Sequence, residues 1–309
     1  METQNTFDNN MRQDAVPSEA QDVPNVQPPQ PQFVSQQERH EFDEFKRQKR
    51  VAEARALIAK IELSATSVTY ERSALRRALK ECEKLGIGGV CVLPYLVKSA
   101  RSFLGEDSPV MIVALISPFG GTDTTDIKLR QVKRALRDGA AAVEVTVPVP
   151  AIKEGSWGYV KKELKRLKRA SRKAILRINL EAPLLTSQEL TRLLSIICEV
   201  GITCVRTAGG VFGSGADEED LKLIRAAVKD KAMIKAEGAE APGRMATLLE
   251  LGAQITGSEA AVPMAQAVLA AAEKPGPPNY SPVPTLKLGV QQSTRPPQKA
   301  ARRRSKFFI

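Results

Sequence analysis

The chain has 309 residues, which fits two ordinary domains or one large α/β domain with tails, because barrels commonly run to roughly 200–250 residues. A hydrophobic content of 42% with only 5% aromatic residues indicates a sizeable core that is mainly aliphatic. The net charge of +11 is compatible with nucleic acid, anionic surfaces or phosphorylated substrates as partners. No apolar run approaches the ~18–20 residues of a membrane helix, and the N-terminus lacks a signal pattern, so we expect no membrane span and a cytoplasmic location.

The histidine and cysteine residues narrow the range of catalytic chemistry. The single histidine, His40, precedes the predicted folded domain, which excludes a Ser-His-Asp set and argues against a His-ligated metal. The four cysteines are irregularly spaced within predicted helices and strands, a pattern typical of reduced core thiols. The sequence therefore predicts no metal site.

The two ends of the chain differ in composition from its middle. Residues 1–37 are rich in Gln, Asn and Pro and lack periodic apolar positions, which predicts a disordered tail. Residues 38–60 are highly charged and avoid Gly and Pro, which predicts a helix leading into the domain. Residues 275–309 are polar and end in a basic cluster at 302–306 followed by Phe-Phe-Ile. We expect this second tail to be disordered as well, and it is either simply solvated or a site for a polyanion or a protein partner.

Residues 61–274 alternate strand-like and helix-like segments. Strands are predicted at 61–64, 89–94, 110–116, 140–147, 175–180, 202–207, 233–236 and 254–256. Helices are predicted at 67–85, 96–104, 127–138, 159–173, 187–200, 217–229, 242–251 and 260–272, with Thr186 as an N-cap. Eight β/α units predict a closed (β/α)₈ TIM barrel. The alternative, an open doubly wound sheet, would normally carry a Gly-rich dinucleotide turn after an early strand, and none stands there.

Polar side chains stand at the carboxyl ends of several predicted strands, where TIM barrels carry their functional groups. These residues are Cys91, Glu144, Arg177, Glu181, Arg206 and Lys235. Arg206 lies inside an apolar run, and because ionised side chains are rarely buried without a partner, it marks either a buried ion pair or a site.

The order and spacing of six segments between residue 61 and about residue 269 resemble the deoxyribose-phosphate aldolase family. The segments are GVCVLPY, GAAAVEVTVPV, ILRINLEAPLLT, ICEVGITCVRTAGG, MIKAEGA and ITGSEAA. The resemblance implies a (β/α)₈ barrel and a carbon–carbon lyase of class I, which needs no metal or other cofactor. Such an enzyme cleaves or joins a sugar phosphate, or a small aldehyde, through a lysine imine.

Carried over position by position, the resemblance assigns candidate catalytic residues with one large departure. Cys91 falls on the family's second-strand cysteine, Glu144 on its proton-transfer aspartate and Lys235 on its auxiliary lysine. Arg206 falls on the imine-forming lysine itself, and Arg177 replaces another usual lysine. A guanidinium stays protonated and is not a practical nucleophile, so the usual route is closed.

The same resemblance implies a phosphate site that this sequence has altered. The candidate phosphate-binding residues are Gly209, Gly210, Gly238, Gly257, Ser258 and Arg177. Glu237, Glu240 and Glu259 place negative charge on the loops after strands seven and eight, which predicts weak phosphate binding.

Three hypotheses remain open from the sequence. In the first, Arg206 depresses the pKa of Lys235, which then serves as the nucleophile of an active aldolase with Glu144 as proton shuttle. In the second, Arg206 forms a buried ion pair with Glu144 or Glu181, and the barrel is non-catalytic and binds a small anion or a macromolecule. In the third, the basic segment 159–173 and the tail bind nucleic acid, although that segment is most simply an amphipathic helix with a solvated face. The sequence indicates no oligomeric state.

Overall fold

A computed structural model of the chain describes residues 35–209, 215 and 217–274. Contacts divide the chain into two units, residues 1–43 and 44–309. In the first unit the described residues from Gln36 onward are helical, and the second unit contains the sheet.

Eight parallel strands close into a barrel in sequence order, with β8 paired to β1. The strands are β1 (Ile61–Ala65), β2 (Gly89–Val92), β3 (Met111–Ile116), β4 (Ala142–Thr146), β5 (Ile175–Asn179), β6 (Cys204–Arg206), β7 (Met233–Glu237) and β8 (Ile255–Ser258). The predicted (β/α)₈ TIM barrel is confirmed.

Helices alternate with these strands. They are α1 (Gln36–Ile58), α2 (Arg72–Leu85), α3 (Pro94–Leu104), α4 (Thr125–Arg137), α5 (Val149–Lys153), α6 (Trp157–Ala170), α7 (Ser187–Val200), α8 (Glu218–Val228), α9 (Pro242–Glu250) and α10 (Ala261–Glu273), and a 3₁₀ turn covers Ala182–Leu184. The sequence missed α5 and the 3₁₀ turn, because each is too short for a helical period and is marked only by a proline in its first turn. None of the described helices is long and apolar enough to cross a membrane.

Some helices begin or end at residues other than the predicted ones. The leading helix predicted at 38–60 runs from Gln36 to Ile58. The helix predicted from residue 67 begins only at Arg72, after Glu71 in extended conformation. The predicted tails, 1–37 and 275–309, lie outside the described residues apart from 35–37.

Helix α7 shows how local sequence sets these boundaries. The Thr186 side chain accepts a hydrogen bond from the Glu189 N–H at 3.2 Å, and the Glu189 carboxylate accepts one from the Thr186 N–H at 2.8 Å. This reciprocal pair is a capping box, so the predicted N-cap is confirmed. The helix ends at Gly201, whose φ of 74° suits a residue without a side chain.

The closed sheet has two buried faces, one that packs against the helices and one that lines the inside of the barrel, because successive side chains of a strand point to opposite faces. Val90, Ile112 and Val143 belong to the large cluster that packs against the helices. Their neighbours form a small apolar cluster of Cys91, Val113, Leu115 and Ala142, with Met111 beside it. That cluster therefore lies inside the barrel, on the side of β2, β3 and β4, and the candidate site fills the rest of the interior.

Candidate active site

Strand register gathers the ionisable residues inside the barrel. Glu144 on β4 is paired in register with Arg177 on β5, and Arg206 on β6 is paired with Lys235 on β7. Neither Glu144, Arg206 nor Lys235 has any solvent-exposed surface, and Arg177 retains only 2%. Groups buried to this degree need partners, because an unpaired charge removed from water costs several kcal/mol.

Glu144 is the centre of the network. One carboxylate oxygen accepts hydrogen bonds from Lys235 Nζ at 3.0 Å and from Arg177 Nη1 at 3.1 Å. The other accepts one from Arg206 Nη1 at 2.7 Å. Desolvation raises the pKa of Glu144, but the three cations, Lys235 first, more than offset it and hold the pKa well below its usual range. Glu144 is therefore an ionised carboxylate rather than a proton donor.

Glu62 is a second buried carboxylate, which the sequence analysis missed. Its two oxygens lie 2.7 and 2.8 Å from Arg177 Nη1, and its Oε2 lies 2.8 Å from Lys235 Nζ. The available signal is the alternation of apolar and polar residues in Ile61-Glu-Leu-Ser-Ala65, which places Glu62 and Ser64 on one face of the strand. Desolvation raises its pKa, but Lys235 and Arg177 outweigh that effect and the net shift is downward.

Arg206 is held between two carboxylates. Its Nη1 donates to Glu144, and its Nη2 lies 2.8 Å from Glu237 Oε2. Glu237 is the last residue of β7 and only 6% exposed, rather than a loop residue near solvent, and its other oxygen accepts a hydrogen bond from Ser64.

The open question of the Arg206 partner is thereby answered in favour of Glu144. The Glu181 carboxylate instead accepts hydrogen bonds from Asn179 Nδ2 at 2.7 Å and from the Gly209 N–H at 3.1 Å. Burial is the largest effect on Glu181 and raises its pKa. The described contacts therefore assign Glu181 to positioning the strand ends rather than to neutralising Arg206.

Arg206 acts on the pKa of Lys235 in the expected direction, but the net pKa of Lys235 is raised rather than lowered. Desolvation does lower the pKa of Lys235, and Arg206 lowers it further. Glu144 and Glu62, at 3.0 and 2.8 Å from the amine, act in the opposite direction, and the net pKa is raised above the ordinary lysine value. The amine is therefore protonated near neutral pH and has no lone pair for attack on a carbonyl.

Cys91 adjoins the network without being ionised. Its thiol donates to Glu144 Oε2 at 3.2 Å, and Arg206 Nη1 lies 3.5 Å from the sulfur. Burial, followed by the Glu144 carboxylate, raises the pKa of Cys91 to about 12. The thiolate, which is the nucleophilic form, is not accessible at physiological pH.

In the described part of the chain, the candidate phosphate-binding residues make contacts within the protein. The Gly209 N–H donates to Glu181, and the Gly238 N–H donates to the Gly257 carbonyl at 3.0 Å. The Ser258 hydroxyl accepts from the Ala260 N–H at 2.9 Å. A Cβ at Gly257 would overlap the Glu237 carboxylate. Arg177 is bound by Glu62 and Glu144 deep in the barrel, and Gly210 lies outside the described residues.

The network is balanced in charge. Three cations (Arg177, Arg206 and Lys235) meet three carboxylates (Glu62, Glu144 and Glu237). Such an arrangement fixes its side chains rigidly, because moving any one of them leaves an opposite charge unpaired in a low-dielectric interior.

Comparison with curated proteins finds deoxyribose-phosphate aldolases. The chain is 32% identical over 168 residues to the deoxyribose-phosphate aldolase of Caldicellulosiruptor saccharolyticus, across 53% of this chain and 76% of that protein. It is 31% identical over 188 residues to the deoxyribose-phosphate aldolase of Clostridium botulinum, across 60% of this chain and 88% of that protein. No family model matches the chain.

Solved structures agree with the fold. The aldolase QR15 superposes with a TM-score of 0.66 at 26% identity, over 69% of this chain and 96% of that one. The deoxyribose phosphate aldolase of Aeropyrum pernix, described as tetrameric, superposes with a TM-score of 0.61 over 72% of this chain and 97% of that one. Its identity is 20%, so this second likeness concerns the fold alone.

Proposed function

Because the chain belongs to the deoxyribose-phosphate aldolase family, we propose that it is an aldolase barrel in which a closed ion network has replaced imine chemistry. In this proposal it does not cleave 2-deoxyribose 5-phosphate. The barrel is non-catalytic and serves binding rather than carbon–carbon bond cleavage.

The observation that carries the proposal is the environment of Lys235. A class I aldolase joins a neutral amine to a carbonyl carbon with loss of water, so it needs an unprotonated lysine in contact with the substrate. Lys235 is held between Glu62 and Glu144, is fully buried, and has a pKa raised above the ordinary lysine value. Arg206, at the position where the family carries its imine-forming lysine, supplies a guanidinium that does not act as a nucleophile.

A substrate would also meet a steric and electrostatic barrier. A sugar phosphate or small aldehyde reaching Lys235 would have to displace one of its carboxylate partners. Glu237, held by Arg206 and Ser64, occupies the space beside Gly257, so a phosphate in that position would be repelled by a carboxylate.

The alternative is an active class I aldolase in which Lys235 is the nucleophile and Glu144 the proton shuttle. It requires that substrate binding separate the amine from both carboxylates and so release its proton. This alternative and the proposal differ in one measurable quantity, which is the ability of the wild-type chain to form an imine.

Borohydride trapping tests the proposal. The full chain is incubated with acetaldehyde, reduced with borohydride and analysed by intact mass and peptide mapping, since reduction converts an imine into a stable ethyl-lysine. We expect no adduct at Lys235 in the wild type and a mapped adduct at position 206 in R206K. The single nitrogen of a lysine cannot contact both Glu144 and Glu237 as the two Nη groups of Arg206 do, and the neighbouring charge of Lys235 favours the neutral form of the new amine. R177K is the matched control, since it places an amine in the same network on β5, and we expect no adduct there.

Each outcome bears on the proposal. A wild-type adduct that maps to Lys235 and disappears in K235A would establish the active alternative and overturn the proposal. A folded R206K that traps no aldehyde would contradict the attribution of the lost chemistry to Arg206. Trapping in R177K equal to that in R206K would show that any added buried amine reacts, regardless of position.

The cytoplasmic location expected from the sequence stays part of the proposal. Fractionation of cells that express the full chain checks it, and recovery with membranes would contradict it.

A further inference from the structure

Charge is distributed unevenly around the ring of helices. Helix α4 carries five basic residues and one acidic residue, and α6 carries six and one. In contrast, α7 carries one basic and two acidic residues, and α8 carries two and three. Helix α2 carries five basic and two acidic residues and α3 two basic and no acidic ones, so the excess positive charge lies on the helices from α2 to α6 and is greatest on α4 and α6.

Two rows of basic side chains lie on α4 and α6. Both rows have the spacing i, i+3, i+7, which places their members on one face of a helix, and all six residues are solvent-exposed. The rows are Arg130, Lys133 and Arg137 on α4, and Lys162, Lys165 and Arg169 on α6, together called here the α4/α6 basic surface. The opposite faces of both helices are buried, for example at Val132 and Leu164, so the two rows point away from the barrel.

The acidic residues of both helices are already engaged in joining α4 to α6. Glu163 lies 2.8 Å from Lys128 Nζ in a fully buried ion pair and also accepts from Thr125 at 2.7 Å. Asp126 lies 2.5 Å from Arg166. These contacts bring the two rows side by side, and they leave no carboxylate of α4 or α6 to neutralise them. Within the part of the chain that the structure describes, none of the six residues of the surface forms an ion pair.

From this geometry we propose that the α4/α6 basic surface binds a nucleic-acid duplex through its phosphates, independently of the site inside the barrel. Each row extends about 10.5 Å along its helix, and packed helices lie roughly 8–10 Å apart. The surface is thus a two-dimensional array of cations that can meet several phosphates of a duplex at once. Side chains on the outside of a convex barrel reach the backbone rather than base edges, so binding is independent of sequence.

Two features favour a duplex over other polyanions. A helix that enters a lipid surface needs an accessible apolar face, whereas the apolar faces of α4 and α6 are packed in the core and only the separate side chains of Ile127 and Tyr159 are exposed. Single strands are commonly held by stacking of their bases on aromatic side chains, and the two basic rows contain none. The aromatic residues of α6 precede its row, where Tyr159 accepts a hydrogen bond from Thr125 and the Trp157 ring packs against Arg192.

The test is fluorescence anisotropy of the full chain with a labelled duplex of arbitrary sequence over a range of salt concentrations. Six phosphate contacts give a slope of about −5 in log affinity against log salt concentration, and each contact contributes about −0.9. The triple variants R130Q/K133Q/R137Q and K162Q/K165Q/R169Q should each make the slope shallower by about 2.7. The basic tail at 302–306 adds its own contribution to the salt slope, so the slope of each variant is compared with that of the wild type.

The matched control is R77Q/K80Q/K84Q on α2. Its three residues are exposed, have the same i, i+3, i+7 spacing and lie among Glu81 and Glu83, so it removes the same charge from a less basic helix. We expect its slope to equal that of the wild type. An equal loss in the α2 control, or unchanged slopes in both α4 and α6 variants with intact circular dichroism, would overturn the proposal. The proposal would also be overturned if the wild type bound anionic lipid vesicles but no duplex, and if the α4 and α6 variants lost that vesicle binding.

Discussion

Replacement of Glu144 by glutamine should destabilise the barrel strongly. The substitution keeps the shape of the side chain but removes the charge that contacts Lys235, Arg177 and Arg206 at 3.0, 3.1 and 2.7 Å. Three buried cations would then share two carboxylates. Breaking a buried ion pair by removing one partner costs about 3–5 kcal/mol, a large part of the roughly 5–15 kcal/mol that holds a typical domain folded.

A second substitution should recover part of this loss. In E144Q/R206M one cation is removed as well, so two cations and two carboxylates remain, although Glu237 loses its contact with Arg206. Because the partners are in direct contact, the free energies of unfolding should be non-additive, and the double variant should be at least about 1 kcal/mol more stable than the sum of the single variants predicts.

Urea denaturation followed by circular dichroism and by the fluorescence of Trp157, the only tryptophan, measures these changes. The control is E199Q, which removes a carboxylate from an exposed ion pair with Lys161 on the barrel surface and should leave the urea midpoint unchanged within error. If E144Q unfolds at the same urea concentration as E199Q, the buried network does not hold the barrel together and the reasoning fails.

Two further predictions concern acid and thiol chemistry. Because the folded pKa values of Glu62 and Glu144 are lowered, their contribution to stability is present above the unfolded value of about 4.3 and is lost as pH falls below it toward the folded values. The urea midpoint should therefore drop between pH 5 and pH 3 by more in the wild type than in E144Q, and parallel curves would contradict this. For the thiols, native alkylation read by peptide mass should modify the partly exposed Cys198 first, whereas the other three cysteines, which are buried and have pKa values raised to about 12, should react only after unfolding. Alkylation of Cys91 in the native protein as early as that of Cys198 would refute this prediction.

The sequence predicted the barrel and named Glu144 as one of two candidate partners of Arg206, but it did not predict the rest of the ion network. Alternating strand-like and helix-like segments were sufficient for the eight β/α units, since the topology of such units leaves few alternatives. Thr186 was identifiable as a cap because a capping box is encoded within four consecutive residues. The order of the strands thus follows from the topology of β/α units, and the start of α7 follows from its local sequence.

The buried ion network, in contrast, depends on contacts between strands that are far apart in the sequence. The residues of β1 alternate between apolar and polar, which places Glu62 and Ser64 on one face, but all five residues are buried, so the alternation does not reveal which cations Glu62 meets inside the barrel. The pKa of Lys235 was misjudged because adjacency on β6 and β7 indicates the neighbouring arginine, whereas Glu62 and Glu144 reach the amine across the barrel from β1 and β4. Pairing across a closed barrel depends on the register of all eight strands together.

Gly257, the third residue of β8, makes room inside the barrel for a charged side chain. The absence of a side chain at this position accommodates the Glu237 carboxylate that neutralises Arg206. Any larger residue would push Glu237 away from the guanidinium and unbalance the interior. The packing of Glu237 is therefore sufficient to require glycine at this position, whatever the chemistry of the interior.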